Sequence, residues 1–179
     1  LNIGRLCTDR NVDRGLGDKL ALIHENHAGE VVRYTYLDLQ RLTNGWAAFL
    51  RAQGIRTLDR VCLFLDKAPE LYVGFMGILK LGAVVQPLFS AFGEESLESR
   101  IDNSQARAVI TQRKHLGKVR RARNTLPSLE KIIVIDQAQG GKPDEYQKNP
   151  CLWDGFTRRC APAALIGFRG CRRVDVALD

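Results

Sequence analysis

The chain has 179 residues, 45% of them hydrophobic and 26% charged, with a formal net charge of +7. This length and composition suit one packed domain, or one domain plus a tail, and exclude disorder as the default state. No apolar run of about eighteen residues and no basic-then-apolar leader occurs, which argues against a membrane span or a secretory signal and leads to a cytoplasmic expectation.

In chain order, Leu20–His24 and Val31–Tyr34 read as short strands joined through Gly29, a hairpin. Thr35 offers an N-cap hydroxyl with Asp38 three positions on, and Tyr34 and Leu39 stand where a hydrophobic staple would close. The helix that begins there carries Leu39, Leu42, Trp46, Phe49 and Leu50 on one stripe and stops at Gly54.

Arg60–Leu65 is a continuous apolar run after its first residue, as expected of a central strand covered on both faces of a parallel sheet. Pro69 then opens a helix reaching Leu81, expected to be buried nearly all round. Gly74 and Gly77 weaken that helix by up to about 1 kcal/mol each relative to alanine, so close backbone packing is the expected compensation. Gly82 ends it.

The alternation continues with strand Ala83–Pro87, helix Glu94–Asn103, strand Arg107–Thr111, a basic helix over Lys114–Asn124 and strand Lys131–Ile135. The series predicts a layered α/β unit with a mainly parallel sheet, preceded by the hairpin. Residues 1–136 make this unit, 137–156 read as a polar linker, and 157–179 form an atypical tail without sustained periodicity. Within that tail, Ala161–Phe168 suits a short apolar element.

Five cysteines, odd in number and without a C-x-x-C pair, are expected to be reduced thiols. His24, His27 and His115 are not spaced from them as ligands, so no metal site is predicted and the histidines read as surface or structural. Positive charge gathers at Arg113, Lys114, Lys118, Arg120, Arg121 and Arg123, and again at Arg158, Arg159, Arg169, Arg172 and Arg173. Such clusters attract polyanions without naming them, but no aromatic interleaves with Arg113–Arg123, which disfavours nucleic acid; phosphate on a small ligand is an equally good target.

Ligands of parallel α/β sheets gather beyond the carboxyl ends of the strands, here Asp66–Lys67, Leu88–Gly93 and Gln112–His115. Asp66 beside Lys67 reads as a solvated loop pair with no chemical role. Leu88–Gly93 precedes a helix N-terminus, where backbone N–H groups could meet an anion; a tight connection with buried phenylalanines explains the same residues. Ser90 lacks a G-x-S-x-G elbow and a local histidine, so it is not a nucleophile. Gly140–Pro143 lacks the Walker spacing and reads as a linker.

Tyr34–Leu39 and Leu79–Pro87 resemble the first two core motifs of the adenylate-forming synthetase superfamily. Pro87–Phe92, Arg100–Ser104 and Ala108–Thr111 are similar specifically to acetate-CoA ligases. The resemblance implies a reaction of ATP, acetate and CoA that gives acetyl-CoA, AMP and pyrophosphate through acetyl-adenylate, assisted by magnesium. It also implies that Phe89, Ser90 and Ala91 line the CoA site, with Ser90 and Ala91 standing where related enzymes carry glycines. A cation meeting CoA phosphate maps nearest to Arg120, with Lys118 and Arg121 as alternative registers.

The family's phosphate-gripping loop and downstream motifs are not found in this sequence. The chain is therefore expected to be an N-terminal part of the enzyme, inactive in adenylation, with CoA the one ligand of the parent reaction left open to it. Trp153–Phe156 still resembles the family whereas Thr157–Asp179 does not, which leads to the expectation of a shifted reading frame; the other frames of the encoding DNA past codon 156 test it. Competing expectations are a non-catalytic module for CoA, nucleotide or polyanion, and a partner of the intact ligase. Exposed sheet edges and apolar helix faces predict self-association.

Overall fold

The computed structural model describes residues 1–137 and 171–177. Two short helices, α1 (Ile3–Cys7) and α2 (Asp9–Asp13), precede an antiparallel hairpin of β1 (Leu20–Glu25) and β2 (Val31–Thr35). Gly29 takes the left-handed conformation at φ 79°, and the Asn26 carboxamide oxygen accepts the N–H groups of Ala28 and Glu30, which closes the turn. Thr35 and Asp38 form the expected capping box at the start of α3 (Tyr36–Ala52). Gly54, at φ 82°, ends it, with Ile55 N–H reaching back to Leu50 O.

The remaining elements are β3 (Arg60–Leu65), α4 (Pro69–Leu81), β4 (Val84–Phe89), α5 (Glu94–Ser104), β5 (Ala108–Gln112), a single 3-10 turn at Arg113–His115, α6 (Leu116–Arg123), β6 (Lys131–Gln137) and β7 (Cys171–Ala177). The sheet runs β4-β3-β5-β6-β7; the first four strands are parallel and β7 pairs antiparallel to β6. β3 is central, as its unbroken apolar run requires. β7 was not read in the tail, although Val174 and Val176 alternate there with Arg173 and Asp175. The tail's other features, the Gly140–Pro143 linker, Trp153–Phe156, Ala161–Phe168 and the arginines at 158, 159 and 169, lie outside the described residues.

Alternate residues of each central strand serve opposite cores. Val61, Leu63, Leu65, Ala108, Ile110, Ile133 and Ile135 pack with Trp46, Phe49 and Leu50 of α3 and Val73 and Ile78 of α4. Cys62, Phe64, Val109, Ile132 and Val134 pack with Leu97 and Ile101 of α5 and Val119 of α6. Full burial of each such aliphatic or aromatic side chain stabilises by about 1.5–3 kcal/mol, so the two faces together dominate the fold's energetics. Cys62 lies within the second core, and burial pushes its thiol up to about 12 against the opposing hydrogen bond from Ser104.

Close packing of α3 on α4 rests on Gly77, where a Cβ would come within 2.6 Å of Trp46 Cβ; at Gly74 the nearest atom is Leu63 Cδ2 at 3.4 Å. The helix is not buried all round as expected. Tyr72 is half exposed, because α3 and the sheet together cover only part of the α4 circumference. The N-terminal segment covers another part: Gly4 sits against the Met76 carbonyl, and the Asn2 amide donates to the Leu79 and Lys80 carbonyls at the α4 C-terminus.

Candidate functional site at the carboxyl ends of the strands

β3 and β5 are neighbours, yet the chain leaves their carboxyl ends toward opposite faces of the sheet. After β3 it enters α4, which packs on the first core; after β5 it enters α6, which packs on the second. The divergence opens a crevice at a topological switch point, where open α/β sheets bind ligands. Three of the loops flagged in the sequence meet there: Asp66 after β3, Ser90 after β4 and Gln112–His115 after β5.

Asp66 is the hub. Its carboxylate accepts from the Lys114 ammonium and from His115 Nε2 at 2.9 Å, and the Ser90 hydroxyl stands near enough to favour its charge. Burial opposes its ionisation, but these three groups outweigh that effect and hold the carboxyl well below the usual carboxylate range. An ionised carboxylate only accepts, so His115 must carry its proton on Nε2. The ring also tilts against Phe64 at a centroid distance of 5.2 Å, which fixes its position.

Gln112 completes the floor of the crevice. It is only 3% exposed, and its carboxamide oxygen accepts the Asp66 backbone N–H at 3.3 Å, while Nε2 is buried without a hydrogen-bond partner. The reading of Asp66 and Lys67 as a solvated pair is corrected: Asp66 engages residues 24 and 48–49 positions away, which local spacing does not reveal. His115 Nε2 is spent on Asp66 rather than on the Ser90 hydroxyl, so the histidine does not activate it.

The loop from Phe89 to Gly93 is locked from one side. Phe89 is 63% exposed and meets Phe92 edge-on at 5.9 Å, and the Arg100 guanidinium lies 4.1 Å from the Phe92 ring centre. The alternative of a tight connection with buried phenylalanines fails at Phe89, since the edge strand β4 turns that side chain outward. Ala91 is exposed and Ser90 half-buried. The N-terminus of α5 carries its own Glu94 and Glu95, which satisfy the dipole and disfavour a ligand anion there.

On α6, Lys118 donates to the Phe92 carbonyl at 3.3 Å and Arg121 pairs with Glu94. Arg120 is exposed on a different face of the helix, about 200° from Lys118 at 100° per residue, and is not brought to the loop. Phe89, Ser90 and Ala91 are thus contiguous with Lys118 rather than with Arg120. Sequence spacing left Lys118, Arg120 and Arg121 open as registers; helix phase relative to buried Val119 and Ala122 puts them on different faces of α6. Among the described residues no three His, Cys, Asp or Glu side chains gather as metal ligands, and no helix is long and apolar enough to cross a membrane.

A mainly parallel sheet covered by helices on both faces, with polar residues of three strand ends gathered at its switch point, defines a layered α/β domain of the adenylate-forming type. The chain belongs to the AMP-binding enzyme family, whose model matches residues 9–162. It is 34% identical over 154 residues to an acetyl-coenzyme A synthetase of Deinococcus radiodurans, covering 81% of this chain and 23% of that protein. With the acetyl-coenzyme A synthetase of Bacillus subtilis the identity is 32%, over 79% of this chain and 24% of the relative.

A Brucella canis acyl-CoA synthetase structure superposes with a TM-score of 0.69 at 26% identity, covering 80% of this chain and 25% of that one. An anthranilate CoA ligase crystallised with anthranoyl-AMP gives a TM-score of 0.67 at 25% identity, over 75% of this chain and 25% of that chain. The chain spans about a quarter of the length of the curated relatives it matches.

Proposed function

We propose that this chain is the N-terminal part of an acetate-CoA ligase and supplies one wall of its CoA site. In the parent reaction acetate attacks the ATP α-phosphate, giving acetyl-adenylate and pyrophosphate, and the CoA thiol then displaces AMP. Phe89, Ser90 and Ala91 present an exposed aromatic face beside small residues, a surface that fits a ligand with apolar and hydrogen-bonding parts. A cation of α6, Lys118 or Arg120, would meet its phosphate.

The observation that carries this reading is the acetyl-coenzyme A synthetase likeness over four-fifths of the chain. ATP and magnesium belong to the parent reaction. The 179 residues contain no phosphate loop to position the triphosphate and neutralise its charge, so the chain alone does not form the adenylate. The polyanion alternative loses support because Lys114 and Arg121 are neutralised by Asp66 and Glu94. A cytoplasmic location is part of the same proposal.

Acetate-dependent exchange of pyrophosphate into ATP tests the inactivity. The purified chain is expected to give none above a heat-treated control. Exchange that tracks the chain through purification would overturn it.

A further inference from the structure

Two donors converge on the Asp66 carboxylate from the loop after β5, the Lys114 ammonium and His115 Nε2–H, and the Ser90 hydroxyl stands near it from the loop after β4. Together they are the kind of donor set that grips a phosphate group, one cation and two directional hydrogen bonds at the mouth of a crevice. A fourth donor, Gln112 Nε2, is buried beside them and unspent. A carboxylate fills this set incompletely, because its two oxygens lie in one plane whereas the four donors come from the ends of two strands and the floor between them.

We propose that Asp66 is a built-in anion that occupies a phosphate subsite formed by Ser90, Lys114, His115 and Gln112, so that a phosphate group enters only by displacing it. The position is open to such exchange. Lys114 is more than half exposed and Asp66 one-third exposed, while His115 and Gln112 are held firmly beneath. With Asp66 in place the subsite is nearly neutral and repels a dianion; without its charge the cation and the donors stay behind and favour one. The inference rests on the geometry of this cluster and does not require that CoA be the physiological ligand.

The test uses the full chain, with inorganic phosphate and CoA titrated separately by calorimetry against wild type and Asp66→Asn. The variant is expected to bind at least one probe about tenfold or more tightly than wild type, and adding Lys114→Met to it is expected to abolish that gain. Tighter binding of both probes identifies a free phosphate subsite; a gain for CoA alone identifies a phosphate carried on a larger ligand. No gain for either probe in a variant with native circular dichroism would overturn the proposal. Should Asp66→Asn fail to fold, Asp66→Ser, which removes the charge and keeps a polar side chain at that position, carries the same comparison. CoA binding left unchanged by altering Phe89, with this phosphate gain intact, would count against the CoA wall and leave the subsite standing.

Discussion

Gly77 lies against Trp46 so closely that a methyl group on its Cα would fall 2.6 Å from Trp46 Cβ, with the Thr43 carbonyl at 3.2 Å. Both atoms belong to the body of α3 and cannot swing aside. Gly77→Ala gains about 1 kcal/mol of helix propensity but overpacks the helix contact at about 1–3 kcal/mol, so a net loss is expected. Gly74→Ala meets only the tip of Leu63 at 3.4 Å and is expected to be neutral or slightly stabilising. Urea midpoints of the two variants check this, and equal midpoints would contradict it.

Lys80 is anchored under the N-terminal segment by Asp9 at 2.5 Å and by the Asn44 oxygen at 2.8 Å, with a side chain only 7% exposed. Burial pulls the Lys80 ammonium below the ordinary lysine range even with Asp9 beside it. For Asp9, burial acts upward but is outweighed by Lys80, Thr8 and Gln40, which hold it low. The two partners thus disagree on the pair's worth: the carboxylate gains from it and the ammonium is costly to bury. Asp9→Ala strands a buried charge and is expected to cost about 2–3 kcal/mol, whereas Lys80→Met removes that charge and costs less. Thermal unfolding of both variants gives the order.

Asp66 makes stability depend on pH with a definite sign. A carboxyl held below its unfolded-state value of about 3.9 contributes stability above that pH and loses it as the pH falls toward the folded-state value. The melting-temperature gap between wild type and Asp66→Asn is expected to be constant from about pH 7 to 5 and to shrink below about 4. One-third exposure of Asp66 keeps the gap modest through solvent screening. A gap that stays level down to pH 3 would show that the Asp66 charge adds nothing to folding.

The four parallel strands were readable because each announces itself locally. Arg60–Leu65 is apolar at five successive positions, and such a run has no place except between two helix layers. Thr35 with Asp38, and Gly54 and Gly82 at helix ends, are short-range signals that tertiary packing did not override. The strand-end loops were also readable as the place to look, from topology alone.

The chemistry inside those loops was not readable. Asp66 and Lys114 are 48 positions apart, and only the parallel pairing of β3 with β5 makes them neighbours. Gln112 looks like any polar residue ending a strand, and its buried, unpaired nitrogen exists only once the crevice is built. The choice between Lys118 and Arg120 depended on helix phase, which a one-residue slip in register reverses. The N-terminal helices went unread for a related reason: each is 5 residues long, too short for periodicity, and is held by Asn2, Gly4 and Asp9 contacts to α4.

Titration of CoA into the purified chain tests the proposed CoA wall most directly. The account predicts saturable binding that Phe89→Ala weakens about tenfold and that one α6 variant, Lys118→Met or Arg120→Ala, weakens with native circular dichroism retained. The loop contact to Lys118 favours the first of these. A folded chain that shows no saturable CoA binding, or binding that none of these substitutions changes, would contradict it.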